Sequence, residues 1–409
     1  MSNFENETSL RKKEEIEFVK SPINESDNLC GADLTNEDLS TIDAGVLLKC
    51  DFDTGTTWPS QDKLPAGFDP EKVMEEAKNP GLGIRELHRQ GIDGRGVKVA
   101  IIDQTLSSEQ GKYSEHAEYP NIIDYKEFGV DDEGVSMHGA AVASLFVGRT
   151  CGVAPGSELV YRAVASGKDD GGNREFNNYA DALFDIIEFN KTLPPLDKIR
   201  IVSCSIGFME DKPEPGLDRW IEAIKLAEEE GIVVSDVGDR TGVDNIGGGT
   251  SGDKDEVEGY RYALFLKGKT EEDDGLLKEL MVKKDVDGIL KRLREINKAE
   301  IVGVDDQTLR ARIEKNLSRD PNQNKSIVVP SDYRTMASWI GPEDYMYNGV
   351  GGMSWAVPYL SGIFALVWQI RPDLKKEQIA EIINQTAITN SSDIKVINPK
   401  GVIEAVQAL

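Results

Sequence analysis

A chain of 409 residues with 39% hydrophobic and 29% charged content is long enough for a sizeable buried core and too apolar to be read as disordered. Its net charge of −26 disfavours nucleic acid and anionic membrane as partners, since both need basic surface. The four cysteines, Cys30, Cys50, Cys151 and Cys204, show no metal-ligand spacing. Cys151 and Cys204 sit among apolar residues, where a free thiol behaves as a small hydrophobe; pairing of Cys30 with Cys50 stays open.

Met1 to Asn6 contain no apolar stretch of signal-peptide length, and no run approaches the roughly 20 apolar residues of a bilayer span. The expected location is therefore the cytoplasm, with export by an unrecognised route as the alternative. Residues 1–83 form a polar N-terminal extension. Arg11 to Lys20 could make a short helix, Asp27 to Asp43 reads as turns, and Gly45 to Cys50 is a short apolar run. From Ile84 the pattern changes. Val97 to Ile102 predicts a buried strand, and similar runs recur at Leu159–Val164, Ile199–Ile206 and Ile232–Val237. Between them, Leu183, Phe184, Ile186 and Ile187 suggest one helix, and Trp220, Ile224 and Ala227 share the face of another. Alternating strands and helices predict an α/β fold: a mainly parallel central sheet with helices on both faces. Residues 252–326 break the rhythm as an acidic, mostly helical insertion, with Ile289, Leu293 and Ile296 on one helical face and Leu309, Ile313 and Leu317 on another. A strand returns at Ile327–Val329. A long apolar helix runs from Ser354 to Ile370, Pro372 stops it, a helix starts over Lys375–Ile383, and Ile403 and Val406 mark a closing helix.

Three local features carry chemistry. Asp103 directly follows the Val97–Ile102 strand, at the carboxyl end where parallel sheets bind ligands, although an acid there also serves as a turn cap. His138 opens a helix of small residues, His138-Gly139-Ala140-Ala141-Val142-Ala143-Ser144, which can lie close to the sheet; the bland reading is a satisfied structural histidine. His88 and His116 both read as surface residues. In Gly351-Gly352-Met353-Ser354-Trp355-Ala356-Val357-Pro358, two glycines allow close backbone approach, and Ser354 opens a helix whose N-terminal N–H groups favour a developing oxyanion. Pro358 is expected within the first helical turn, where its missing N–H matters little. A plain serine N-cap is the competing reading for Ser354.

Taken together, these segments resemble the subtilisin family of serine peptidases. The segment at His138 is similar to the family's His-Gly-Thr-x-Val-Ala-Gly block, and Ser354-Trp355-Ala356-Val357-Pro358 is similar to its Ser-Met-Ala-x-Pro block. Gly152-Val153-Ala154-Pro155-Gly156 matches a family landmark, Val202 to Gly207 resembles the strand lining the substrate cleft, and Pro399 to Leu409 resembles the closing helix. The resemblance covers residues 84–251 and 327–409. It implies a subtilisin-like three-layer fold and a triad of Asp103, His138 and Ser354 in the family's chain order. Ser205, Ile206 and Gly207 would pair with a polypeptide substrate as a β-strand, with Gly238 and Gly352 also lining the cleft. No cofactor is required; structural Ca²⁺ is implied by family habit alone, with no ligand set to name. The extension of residues 1–83 is then either a prosegment or a permanent extension packed on the core. Oligomeric state stays open.

Two departures bear on activity. Gln104-Thr105 follows Asp103 where the family has Ser or Thr and then Gly. Asp239 stands where the family has an asparagine that donates to the oxyanion. An ionised Asp239 cannot donate, whereas a protonated one can; loss of such a donor costs on the order of 3 kcal/mol of transition-state stabilisation. Thr241 and Asn245 are candidate substitutes, and Arg240 would favour ionised Asp239 if it points inward. The reading is a serine endopeptidase working through an acyl-enzyme; a protein that keeps the cleft to bind a peptide or partner without efficient cleavage is the alternative.

Overall fold

The computed structural model describes residues 23–106, 116–119, 121–130, 136–165, 175–208, 214–238, 240–262, 276, 280, 283, 285–296, 310 and 326–409. The chain divides into two compact units, Ile16–Tyr262 with Ile327–Leu409 and Met1–Glu15 with Ala263–Ser326. The Arg11–Lys20 helix lies outside the described residues.

In chain order, the larger unit starts with α1 (Ala44–Leu47), β1 (Phe52–Asp53), α2 (Pro70–Glu76) and α3 (Ile84–Arg89). It continues through β2 (Lys98–Asp103), β3 (Ile122–Phe128), α4 (His138–Val147), β4 (Glu158–Val164), α5 (Asn177–Thr192), β5 (Ile201–Ser203), α6 (Leu217–Glu229), β6 (Val233–Ser235), β7 (Asn245–Gly249) and β8 (Arg261–Tyr262). The smaller unit contributes α7 (Val286–Ile296). After it come β9 (Ile327–Pro330), β10 (Arg334–Ala337), β11 (Tyr345–Asn348), α8 (Met353–Ile370), α9 (Lys376–Thr386), β12 (Ile388–Thr389), β13 (Lys395–Val396) and α10 (Pro399–Gln407).

The centre is a five-stranded sheet of order β3-β4-β2-β5-β6 in which every neighbouring pair is parallel. Alternation along β2 divides its side chains between two cores. Ala100 and Ile102 pack with Leu183, Ile186, Trp220 and Ile224 of α5 and α6. Val99 and Ile101 belong to the cluster that holds α4 and α8, including Phe146, Ile363 and Phe364. The α/β class and its covered parallel sheet thus follow the hydrophobic runs. A second sheet, β12-β13-β9-β7-β8, takes in the Ile327 strand, and a third, β1-β11-β10, is antiparallel.

Differences from the sequence reading have local causes. The run Ile199–Ile206 yields only Ile201–Ser203 as strand, because the Ile206 N–H turns back to the Cys204 carbonyl at 2.7 Å. β7 is Asn-Ile-Gly-Gly-Gly, a composition that argues against a strand. Its glycines answer close approach: a Cβ on Gly248 would lie 2.3 Å from the Arg261 carbonyl oxygen. β3, with Asp124, Lys126 and Glu127, is an edge strand, and edges carry charge. Helix α8 is long and apolar enough by length and composition to cross a bilayer, contrary to the expectation of no such run. Ser354 through Trp368 are all buried inside the unit, and a helix enclosed on all sides by protein is as apolar as a membrane span.

In the smaller unit, Ile289, Leu290 and Leu293 form the buried face of α7, and Asp285 accepts from the Gly288 N–H at 2.9 Å near its start. The predicted face of Leu309, Ile313 and Leu317 lies outside the described residues.

Residues 23–83 have their own cluster, in which Leu29, Leu34, Leu39, Phe52 and Phe68 pack with Tyr347 of β11. The Asn- and Asp-rich turns are pinned by short-range acceptors; Asp33 accepts from Thr35 N at 3.0 Å and Asp38 from Ser40 N at 3.1 Å. None of the four cysteines forms a disulfide, and burial pushes the thiols of Cys50 and Cys151 up to about 12, which makes them unreactive.

Burial also pushes the Asp51 carboxyl up to about 7, against the opposing hydrogen bonds from Gly349 and Asn348. From roughly pH 4 to pH 7 the folded chain keeps a proton there that the unfolded chain releases, so this group makes stability fall as pH rises through that window. Asp51→Asn is expected to match wild type in denaturant melts near pH 4 and to exceed it by up to about 4 kcal/mol at pH 8. A stability gap that does not change with pH would show that Asp51 titrates normally.

Candidate active site

Asp103 ends β2 and is 5% exposed. Its Oδ1 accepts from the Gln104 N–H at 2.8 Å and lies 2.6 Å from Nδ1 of His138, the first residue of α4. An acceptor at this distance holds the proton on Nδ1 and leaves Nε2 as the basic nitrogen. Helix α4 reaches this position because Gly139 lacks a side chain: a Cβ there would meet the Gln104 carbonyl oxygen at 2.1 Å. The Gln104 departure from the family pattern is built into the same junction. Its side chain bonds Ser136 Oγ, which accepts from the His138 N–H at 3.2 Å, and its carbonyl accepts from the buried Tyr161 hydroxyl.

The other histidines do different work, and neither is a surface residue. His116 is 7% exposed; its Nδ1 accepts from the Glu118 N–H at 3.1 Å, which leaves Nε2 to donate to the Asp344 carbonyl at 3.0 Å. His88 is half-buried, holds the Val153 carbonyl at 2.8 Å through Nε2, and has its pKa lowered by burial. Beside His116, fully buried Glu118 accepts from Thr150 N at 2.8 Å, Thr150 Oγ1 at 2.6 Å and the Tyr345 hydroxyl at 2.8 Å.

Ser354 is the second residue of α8 and 8% exposed. Gly352 caps the helix in an extended conformation with no side-chain cap, so the first N–H groups of α8 have no intrahelical partner and favour nearby negative charge. Trp355, the next residue, places its ring against the His138 imidazole, with centroids 5.2 Å apart. Serine and histidine are thereby brought to adjoining helix starts. The Ser354 hydroxyl donates to the Ser205 carbonyl at 3.4 Å, near the outer limit of a hydrogen bond.

Pro358 is not in the first turn. It is the sixth residue of α8, and its missing N–H is the one that would have bonded the Ser354 carbonyl. That carbonyl instead accepts from Ser205 Oγ at 2.8 Å. Ser205 therefore completes the helix at Ser354 through its side chain. Ile206 also turns inward: its N–H bonds Cys204 and its carbonyl accepts from Val237 N at 3.3 Å, so its N–H is not available to a substrate strand. A Cβ on Gly207 would meet Val237 Cγ2 at 2.3 Å, which makes this glycine a packing requirement between two loops. Of the Gly351–Gly352 pair, Gly351 lies against the Ser331 carbonyl, while a Cβ on Gly352 would meet nothing within 4 Å.

Asp239 lies outside the described residues. The flanking residues Gly238 and Arg240 are held by Asp236, which the sequence reading missed. This buried carboxylate accepts from Gly238 N at 2.9 Å and from Arg240 Nε at 2.7 Å, and the guanidinium of Arg240 lies over the Phe208 ring at 5.1 Å. Its Asp-x-Gly spacing is the signal that could have found it. Both candidate substitutes for the oxyanion donor are tied to Val243: Thr241 Oγ1 accepts from its N–H at 3.4 Å, and Asn245 Nδ2 donates to its carbonyl at 3.1 Å. Among the described residues, no group of three or more His, Cys, Asp or Glu side chains is placed to hold a metal.

Residues 94–253 match the subtilase family. That stretch contains Asp103 and His138 and ends before Ser354. This match supports a divergent relationship to the subtilase family and a function of the serine-peptidase type. No curated protein matches it. Similar solved structures include the prenylagaramide maturation protease PagA, at 16% identity and a TM-score of 0.45 over 80% of this chain and 99% of that one. The PatG macrocyclase domain is 14% identical with a TM-score of 0.43 over 80% and 95%. The A-subunit of the AB5 toxin from E. coli is 14% identical with a TM-score of 0.44 over 81% and 99%. Likeness of this degree bears on neither substrate nor reaction.

Ser205→Ala would leave the buried Ser354 carbonyl without a donor. The expected result is a loss of about 1–3 kcal/mol in denaturant melts together with slower reaction at Ser354. Wild-type stability in this variant would mean that another donor serves the carbonyl.

Proposed function

We propose that the protein is a serine endopeptidase that hydrolyses peptide bonds in polypeptides through Asp103, His138 and Ser354. The observation that carries this reading is the 2.6 Å bond between a buried carboxylate and the one histidine whose ring lies beside the residue after Ser354. In the first step Ser354 Oγ bonds to the peptide carbonyl carbon as His138 Nε2 takes its proton. The C–N bond then breaks, and His138 returns the proton to the leaving amine. Water attacks the resulting ester by the same route and restores the serine. Asp103 keeps the imidazole tautomer throughout. The Ser354 N–H at the start of α8 is one oxyanion donor, and Gly352 offers open space beside it for the substrate.

The cytoplasm remains the proposed location; four cysteines without a disulfide fit a reducing compartment. A peptide- or partner-binding protein without efficient cleavage is the second reading. It is favoured by the Ser354 hydroxyl resting on the Ser205 carbonyl.

Labelling with a fluorophosphonate probe tests the first reading. Wild type is expected to react, and Ser354→Ala and His138→Ala are not; a folded wild type that does not label supports the second. At Asp239, an ionised carboxylate would repel the developing charge, so Asp239→Asn is expected to raise kcat near neutral pH on the order of tenfold or more. An unchanged or lower kcat removes Asp239 from the oxyanion site.

A further inference from the structure

Asp51 has no part in the reaction just described, yet it is 5% exposed and aimed at the loop that leads to Ser354. Its Oδ1 accepts from the side-chain amide of Asn348 at 2.6 Å and from the Gly349 N–H at 3.0 Å. Asn348 closes β11 and is 1% exposed. Its own Oδ1 accepts from the indole Nε1 of Trp355 at 2.9 Å. Trp355 in turn follows Ser354 and lies against His138.

The direction of this chain is set by chemistry. An indole N–H only donates, so the Asn348 oxygen must face Trp355 and its NH₂ must face Asp51, which therefore has to accept. Backbone contacts support the same link. β1 pairs with β11 through Phe52 opposite Tyr347, and the Tyr347 hydroxyl donates to the Leu48 carbonyl at 2.8 Å. A Cβ on Gly349 would lie 2.4 Å from the Lys49 carbonyl carbon. On the far side of the loop, buried Asp332 accepts from the Gly351 N–H at 3.1 Å.

We propose that Asp51 is a positioning residue for acyl transfer, acting through Asn348 and Trp355 on the Ser354 loop and the His138 ring, and that residues 27–57 stay with the working enzyme rather than being discarded as a prosegment. The catalytic half of this proposal rests on the peptidase reading; the structural link does not.

The test compares full-length wild type, Asp51→Ala, Asp51→Asn and Trp355→Phe at a temperature below all their melting points. Read-outs are fluorophosphonate labelling rate, kcat and KM on a short peptide, and backbone hydrogen exchange over residues 348–355. Asp51→Ala is expected to label and turn over about tenfold more slowly or worse, with KM little changed and with faster exchange at Gly349 to Ser354. Asp51→Asn keeps the acceptor and is expected to stay close to wild type. Trp355→Phe keeps a ring but not the donor and is expected to fall with Asp51→Ala. Wild-type rates in Asp51→Ala would overturn the proposal, as would equal losses in Asp51→Asn, or a labelled, active form that lacks residues 27–57. If Asp51→Ala does not fold, wild-type rates in Trp355→Phe overturn it. If wild type itself does not label, the peptidase reading fails, and the exchange data decide the link alone: equal protection in wild type and Asp51→Ala overturns it.

Discussion

The contact between Asp103 and His138 depends on how closely α4 can start over the carboxyl end of β2. Gly139 sets that closeness, since any side chain there would collide with the Gln104 carbonyl. The parallel sheet does the rest. Strands that run one way end at one edge, so the acid at the end of β2 and the loops after β5 and β6 gather on the same side. Helix α8 belongs to the same hydrophobic cluster as α4, and it brings a residue from far along the chain to that edge at its own N-terminus, where unpaired N–H groups make negative charge acceptable.

An excess of acid is evident in the net charge of −26, but the carboxylates that matter most are not on the surface. Asp51, Glu118, Asp236 and Asp332 are all buried, and each accepts hydrogen bonds from backbone N–H groups within loops. Loops have no ladder to fix them. A buried carboxylate with several donors around it does that job, because moving any donor away would leave a desolvated acceptor unsatisfied. Three of these acids hold segments that flank Ser354 or hold Gly238 and Arg240. The cost is visible at Asp51, whose carboxyl holds its proton up to about 7 because burial outweighs its two donors.

Ser205 and Pro358 show how two sequence features far apart can be one structural feature. Proline removes a helix hydrogen bond at the Ser354 carbonyl, and a hydroxyl from the loop after β5 replaces it. Neither residue alone signals this. The same is true of Asn348, which reads as an ordinary strand-end residue until its two faces are seen to bond Asp51 and Trp355.

Much of the fold was legible because burial on both faces writes continuous apolar runs: β2, β4 and β6, the helices α5 and α6, and the enclosed helix α8 all stand where those runs lie. β7 was hidden by its glycines and β3 by its edge charges, since propensity reflects ordinary side-chain packing and neither strand has it. The candidate site was legible in part for a related reason. Asp103, His138 and Ser354 each sit within two residues of the end of an apolar element, and such junctions show in a linear pattern. The bond between Asp103 and His138, the turning of Ser205 toward Ser354, the inward bonds of Ile206 and the burial of His116 came only with the tertiary structure, as did the tie from Asp51 to Trp355. By itself the sequence determined the apolar elements and the residue types at their ends, because hydrophobic periodicity and backbone chemistry are local. Which side chains face one another was decided only by the folded chain, because hydrogen bonds between residues roughly 150 to 300 positions apart leave no periodic trace.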